Sequence, residues 1–218
     1  YIPGKNQEEV LVLSAHYDHI GFDQGEVCNG ADDDGSGTAA LLSISKAFQN
    51  AYEAGHQPER SILFLSVSGE EKGLFGSKFY TENPVFQLSK TIANLNIDMV
   101  GRRDTIQPDD NYIYLIGSDK ISKDLHLINE KVNEIHIGFN LDYTYNKDSD
   151  PNKFYYRSDH YNFAKNNVPV IFYFGGLHED YHKPTDQIDK INFSKLEKVS
   201  QYVFLTAWEL ANRKESLK

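Results

Sequence analysis

The chain has 218 residues, 39% of them hydrophobic, which is enough to bury the core of one α/β domain. Its formal charge of −10 at pH 7 argues against binding to the phosphates of nucleic acid or to an anionic membrane surface. No apolar run reaches the roughly 18 residues of a membrane span, and the single Cys28 excludes an internal disulfide.

Five short runs rich in Val, Ile, Leu and Phe are predicted to be buried strands. They cover residues 10–15, 61–68, 91–98, 111–117 and 168–174. Helical spacing of apolar residues predicts helices at 36–54, 119–135 and 193–213. Strands that alternate with helices indicate a mainly parallel sheet with helices on both faces, so we predict one α/β domain over residues 1–218. The abrupt opening on YIPGKNQEEV predicts that further residues precede Tyr1 in the natural protein.

Two polar, turn-rich segments interrupt this pattern, at residues 102–110 and 138–158. The second is long for a connecting loop, and loops of that length in compact domains usually carry function. We therefore expect residues 138–158 to help wall a cleft.

Acidic and imidazole side chains follow four of the predicted strands, at the point where each strand ends. They are His16 and Asp18 after the first strand, Glu70 and Glu71 after the second, Asp98 at the end of the third, and His178, Glu179, Asp180 and His182 after the last. Because ligands bind beyond the carboxyl ends of strands in open α/β sheets, we expect these side chains to meet at one edge. The triplet Asp32-Asp33-Asp34 precedes the first long helix at that same edge.

Three adjacent carboxylates repel one another unless something offsets their charge. One explanation is a solvated turn or helix N-cap, in which Asp32 or Asp34 would cap the following helix. The other is a metal centre, because mixed imidazole and carboxylate ligands suit zinc, with cobalt or manganese as alternatives. An aspartate between two divalent ions can give one oxygen to each ion, and the two ions then form a co-catalytic pair.

Six segments taken in order resemble the M28 family of zinc-dependent aminopeptidases. They are AHYDHIG, NGADDDGSGTAALL, SGEEKGLFGS, NLNIDMVGR, RSDHYNF and YHKPTD, and the likeness runs from about residue 10 to 190. The resemblance implies a single α/β domain with a mixed, mainly parallel sheet, two zinc ions per chain, and cleavage of N-terminal residues from peptides. It also implies an exported protein, and we take a monomer as the default.

The resemblance further implies roles for individual residues. The five metal ligands would be His16 and Asp98 on one ion, Glu71 and His182 on the other, and Asp33 as the bridge. Glu70 would bind no metal and would act as the general base. We predict that His19, His160 and His178 are not ligands, although His178 is an alternative to His182.

Other residues are expected to support the ligands or contact the substrate. Tyr155, three residues before Ser158, would donate a hydrogen bond to the oxyanion, with Tyr156 and Arg157 as alternatives. Arg157 and Asp159 are candidates for substrate binding. Asp18 and Asp186 would accept hydrogen bonds from the rings of His16 and His182, because a metal-bound histidine usually donates its other N–H.

Three other functions stay open from the sequence. A glutaminyl cyclase of similar fold would use one zinc, although His16 and the aspartate triplet retain ligands for a second ion. A carboxypeptidase or dipeptidase would need a basic group for the substrate carboxylate, and Arg157 is the candidate. A binding domain without catalysis would have lost the base or some ligands, whereas this chain keeps every expected residue.

Overall fold

A six-stranded β-sheet forms the middle layer of the structure, a computed structural model that describes residues 1–217. Its strands are β1 (Asn6–His16), β4 (Arg60–Val67), β5 (Thr91–Asp98), β6 (Tyr112–Ile116), β7 (Asn140–Asp142) and β8 (Val170–Phe174). They lie in the order β4-β1-β5-β8-β6-β7, and every neighbouring pair is parallel except β8 with β6. The predicted mixed, mainly parallel sheet is therefore confirmed.

Helices cover both faces of this sheet. They are α1 (Gly35–Glu53), α2 (Phe75–Glu82), α3 (Lys123–Val132), α4 (His160–Ala164) and α5 (Phe193–Asn212). Alternate residues of each strand point to opposite faces, so Leu11 and Leu13 join the core under α1, α3 and α5. Val10 and Val12 instead join a second core with Tyr80 of α2 and Phe163 of α4.

The long helices begin where polar side chains cap them. Asp34 accepts a hydrogen bond from the backbone N–H of Gly37 at 2.9 Å, which confirms it as an N-cap of α1. Asn192 caps α5 in the same way through Lys195, and Ser122 caps α3 through Leu125. Because Ser122 sets its start, α3 begins later than the predicted residue 119 and is followed by a π-helical turn, Asn133–Ile137.

Four short elements were not predicted from the sequence. They are α2, α4, β7 and the hairpin of β2 (Gly21–Asp23) with β3 (Glu26–Cys28). Each has eight residues or fewer, which leaves little room for a periodic apolar pattern. Among residues 1–217, no helix combines the length and the apolar character needed to cross a membrane.

Candidate metal centre

The parallel strands end at one edge of the sheet, and polar side chains gather there. His16 is the last residue of β1, and Asp98 is the last residue of β5. Glu70 and Glu71 follow β4, and Asp33 lies in the turn that leads into α1. Because β4, β1 and β5 are parallel neighbours, these residues meet above the carboxyl ends of the strands, where α/β sheets bind ligands.

One group of candidate metal ligands consists of His16, Asp33 and Asp98, and we call it the His16 position. Its ligand atoms all lie within 4.8 Å of one another. The Nε2 atom of His16 is 3.4 Å from Oδ1 of Asp33 and 3.8 Å from Oδ2 of Asp98. The hydroxyl of Ser158 donates to Oδ2 of Asp98 at 2.6 Å and thereby orients this carboxylate.

A second group consists of Asp33, Glu71 and His182, and we call it the His182 position. It surrounds the other oxygen of Asp33. The Nε2 atom of His182 is 3.2 Å from Oδ2 of Asp33 and 3.3 Å from Oε2 of Glu71. The two oxygens of Asp33 therefore face different imidazoles, Oδ1 towards His16 and Oδ2 towards His182. A carboxylate that bridges two metal ions requires this arrangement.

His178, the alternative to His182, lies outside both positions. Its Nε2 atom is 3.2 Å from Oδ2 of Asp32, and both side chains are fully buried. The two histidines of this loop thus contact different members of the aspartate triplet: His178 contacts Asp32, and His182 contacts Asp33.

Burial and neighbouring charges shift the pKa values of the centre. Burial would lower the pKa of His182, but the carboxylates of Asp33 and Glu71 raise it to about 9. Burial, followed by the negative charge of Asp98, raises the pKa of Glu70 to about 9. Burial disfavours the charged form of Asp33 as well, yet its imidazole contacts hold its pKa below the usual value. The centre carries more negative than positive charge, an excess that divalent cations would offset.

Unpartnered polar atoms in the site also fit a metal centre. Within residues 1–217, the buried Nε2 of His16 and Oε1 of Glu71 have no hydrogen-bond partner. Buried polar atoms without partners are rare because they lose the hydration that they had in water. Imidazole nitrogens and carboxylate oxygens are ligands that zinc accepts, so the residues present fit the zinc ions implied by the resemblance.

Glu70 and Glu71 are adjacent in sequence but occupy different places in the site. Both line the cleft, but Glu71 belongs to the His182 position, whereas Oε2 of Glu70 lies 4.0 Å from Nε2 of His16. The carboxylate of Asp18 accepts the backbone N–H groups of Glu70 at 3.3 Å and Glu71 at 3.4 Å. Asp18 therefore holds the turn that separates the two side chains.

Asp18 and Asp186 support the centre through atoms other than those predicted. The Nδ1 atom of His16 lies 3.0 Å from the backbone carbonyl of Asp18, closer than the 3.6 Å to its carboxylate. The carboxylate of Asp186 accepts the backbone N–H groups of Asp32 and Asp33 at 3.0 to 3.2 Å. The prediction that Asp186 bonds to the ring of His182 is thus corrected, because its oxygens meet the backbone of the turn that presents Asp33.

The segment 138–158 contributes to the cleft, but not through Tyr155. Tyr156 and Arg157 line the cleft, whereas the ring of Tyr155 packs between Tyr156 and Tyr161 and lies under Nζ of Lys120 at 5.0 Å. Asp159 is fully buried and does not line the cleft either. The structure therefore does not bring Tyr155 or Asp159 to the surface that a substrate would contact.

Two residues to which the sequence analysis gave no role lie in the site. Tyr181 lines the cleft, stacks on the ring of His182 at 3.8 Å, and accepts a hydrogen bond from Arg157 at 3.2 Å. His19, predicted not to be a ligand, places Nδ1 2.8 Å from Oε1 of Glu71. The only signals in the sequence were that Tyr181 adjoins His182 and that His19 lies three residues after His16.

Comparisons with known proteins found relatives of this chain in sequence and in structure. The model of Peptidase family M28 matches residues 1–207. A probable leucine aminopeptidase from Arthroderma otae is 32% identical over an alignment of 216 residues that covers 96% of this chain and 56% of that protein. The chain thus spans little more than half the length of this relative.

Two solved structures share the fold. A zinc aminopeptidase from Bacillus subtilis, BSAP, superposes with a TM-score of 0.77 at 23% identity, over 100% of this chain and 50% of that one. A glutaminyl cyclase from Bacteroides thetaiotaomicron superposes with a TM-score of 0.70 at 20% identity, over 93% of this chain and 74% of that one. At these identities, the likeness concerns the fold alone.

Proposed function

This chain belongs to peptidase family M28, and from that premise we propose that it is an aminopeptidase with a dinuclear zinc centre. The observation that carries the proposal is the position of Asp33, whose two oxygens face the imidazoles of His16 and His182 at 3.4 and 3.2 Å. Such a carboxylate could serve two ions. The ion beside His16 would also be held by Asp98, and the ion beside His182 would also be held by Glu71. When bound, the ions supply Lewis acidity and lower the pKa of water towards neutrality.

Glu70 is the general base in this proposal. Glu70 lines the cleft with Oε2 4.0 Å from Nε2 of His16, and the hydrogen bond from its backbone N–H to the carboxylate of Asp18 fixes the turn that carries it. Zinc ions held at the two metal positions would offset the negative charge of Asp98 that helps to raise the pKa of Glu70, so the carboxylate is free to take a proton from water and to return it to the amine that leaves when the peptide bond breaks, as general acid–base catalysis requires. The peptide enters with its free N-terminus towards the acidic floor of the cleft, which favours a positively charged amino group.

Tyr181 takes the role of oxyanion donor that the resemblance assigned to Tyr155. Its hydroxyl accepts a hydrogen bond from Arg157, which leaves its own proton to be donated towards the cleft. Burial, and then the negative charge of Asp33, raises the pKa of Tyr181, so the hydroxyl keeps this proton. Stacking on His182 places the ring beside the His182 position.

We expect Tyr181→Phe to lower kcat/KM by about 10²–10³-fold, the usual effect of removing one oxyanion donor. Tyr155→Phe is the matched control, since it removes the same hydroxyl from a ring outside the cleft, and it should leave kcat/KM little changed. Steady-state kinetics on one aminoacyl substrate compare the two variants. A larger loss for Tyr155→Phe would return the role to Tyr155.

Hydrolysis of a chromogenic aminoacyl anilide tests the proposed activity. We expect the substrate to be hydrolysed to the free amino acid and the chromogenic aniline, this activity to be lost after treatment with a chelator, and the activity to recover when zinc is added. The N-acetylated substrate serves as the control and should not be cleaved, because it lacks the free amino group. Cleavage of only C-terminal residues would instead indicate a carboxypeptidase, and cyclisation of N-terminal glutamine with one zinc per chain would indicate a glutaminyl cyclase.

A further inference from the structure

We propose that His19 is an additional protein ligand of the metal ion at the His182 position, alongside Asp33, Glu71 and His182. The proposal rests on the metal centre proposed above, but it concerns metal binding alone and does not depend on which peptide bond is cleaved. Its consequence is an unequal pair of sites, with two imidazoles at one ion and one imidazole, that of His16, at the other.

The distances fit a shared ion. The Nδ1 atom of His19 is 2.8 Å from Oε1 of Glu71 and 3.9 Å from Oδ2 of Asp33. Ligand atoms on one tetrahedral zinc, with bonds of about 2.0–2.1 Å, lie about 3.3 Å apart, and the two distances bracket this separation. The candidate ligand atoms of His19, Asp33 and Glu71 all lie within 4.8 Å of one another.

The short contact between His19 and Glu71 lacks the geometry of a hydrogen bond. Within residues 1–217, neither ring nitrogen of His19 nor Oε1 of Glu71 has a hydrogen-bond partner, although the two side chains are only 7% and 6% exposed. A hydrogen bond needs the N–H to point at the oxygen. A nitrogen that binds a metal instead points its lone pair at the ion and not at the neighbouring ligand atom, which is compatible with a short contact that lacks hydrogen-bond geometry.

The chain is shaped to seat this ring. Gly30 lies against His19 with φ of +62°, and a Cβ atom at that position would approach Cγ of His19 to 2.4 Å. On its other side, the ring of His19 meets the ring of His182 edge-on, with centroids 5.9 Å apart. The imidazole is therefore held beside the His182 position and cannot be replaced there by solvent.

Zinc-edge X-ray absorption of the whole protein loaded with two zinc ions tests the proposal. His16, His19 and His182 would give three imidazoles to two ions, an average of one and a half per zinc. In His19→Gln the amide can hydrogen-bond to Glu71 but is a poor zinc ligand, so this variant should lower the average towards one. His178→Gln is the matched control, because it alters a buried histidine that faces Asp32, and it should leave the average unchanged.

The outcomes separate this proposal from the proposed function. Two zinc ions with an average of one imidazole each in the unmodified protein would overturn the role of His19 as a ligand. That result would leave the dinuclear centre intact and make His19 a residue that orients Glu71. A protein that binds no zinc at all would overturn both proposals. The measurement on the unmodified protein decides the question even if a variant does not fold.

Discussion

Asp33→Asn is expected to remove zinc from both metal positions and to reduce peptide hydrolysis to the level of chelator-treated protein. One oxygen of Asp33 faces His16 and the other faces His182, so this single carboxylate contributes to both sites. The asparagine is neutral, and its amide nitrogen has no lone pair to offer. The loss in affinity should exceed the roughly 10–100-fold that follows removal of an outer hydrogen-bond partner of a metal ligand. Zinc content after dialysis, together with turnover, measures the effect.

The neighbouring variant Asp34→Asn is the matched control for this prediction. The carboxylate of Asp34 is buried and accepts backbone N–H groups of His16, Gly37 and Met99, so it holds the fold rather than a metal. In Asp34→Asn, the NH₂ group of the amide would face one of these backbone N–H groups, and two facing donors cannot form a hydrogen bond. The free energy of unfolding should therefore fall by about 1–3 kcal/mol. This loss of stability should be seen when the unfolding of chelator-treated Asp34→Asn is measured. Two zinc ions retained by Asp33→Asn would contradict the bridging role.

The sheet could be predicted because its central strands are buried on both faces. Such strands read as continuous apolar runs, and β5 was predicted with its observed limits, Thr91–Asp98. Parallel order then required the residues after each strand to share an edge, which predicted the position of the candidate metal centre. The short helix α4 could not be found in this way, because its five residues form little more than one turn.

The side chains that complete the site were harder to predict, because loop paths decide which of them face the cleft. Tyr155 lies in the short aromatic helix Phe154–Tyr156 and Tyr181 lies in the loop after β8, and nothing in their spacing shows that, of these two, only Tyr181 reaches the cleft. His19 was assigned no metal because a lone histidine in a loop is usually an ordinary polar residue. Its place depends on contact with Gly30, eleven positions later, which no local pattern reveals.

Glu70→Gln is expected to keep both zinc ions and to lower kcat by about 10²–10⁴-fold, the contribution typical of a positioned general base. The side chain of Glu70 faces the cleft and belongs to neither metal position, so glutamine preserves its size without disturbing a ligand. The amide cannot accept a proton from water, and it cannot return one to the leaving amine. Zinc analysis and steady-state kinetics on the same preparation measure the two effects separately.

The adjacent variant Glu71→Gln distinguishes a base from a ligand, since the two glutamates share one turn that Asp18 holds through both backbone N–H groups. Glu71→Gln should weaken zinc at the His182 position, where its carboxylate lies 3.3 Å from His182, and its activity should recover in part with added zinc. Activity of Glu70→Gln should not recover with added zinc, because its metal positions are intact. Near-normal turnover of Glu70→Gln with both ions bound would exclude Glu70 as the base and leave the proton transfer to another group.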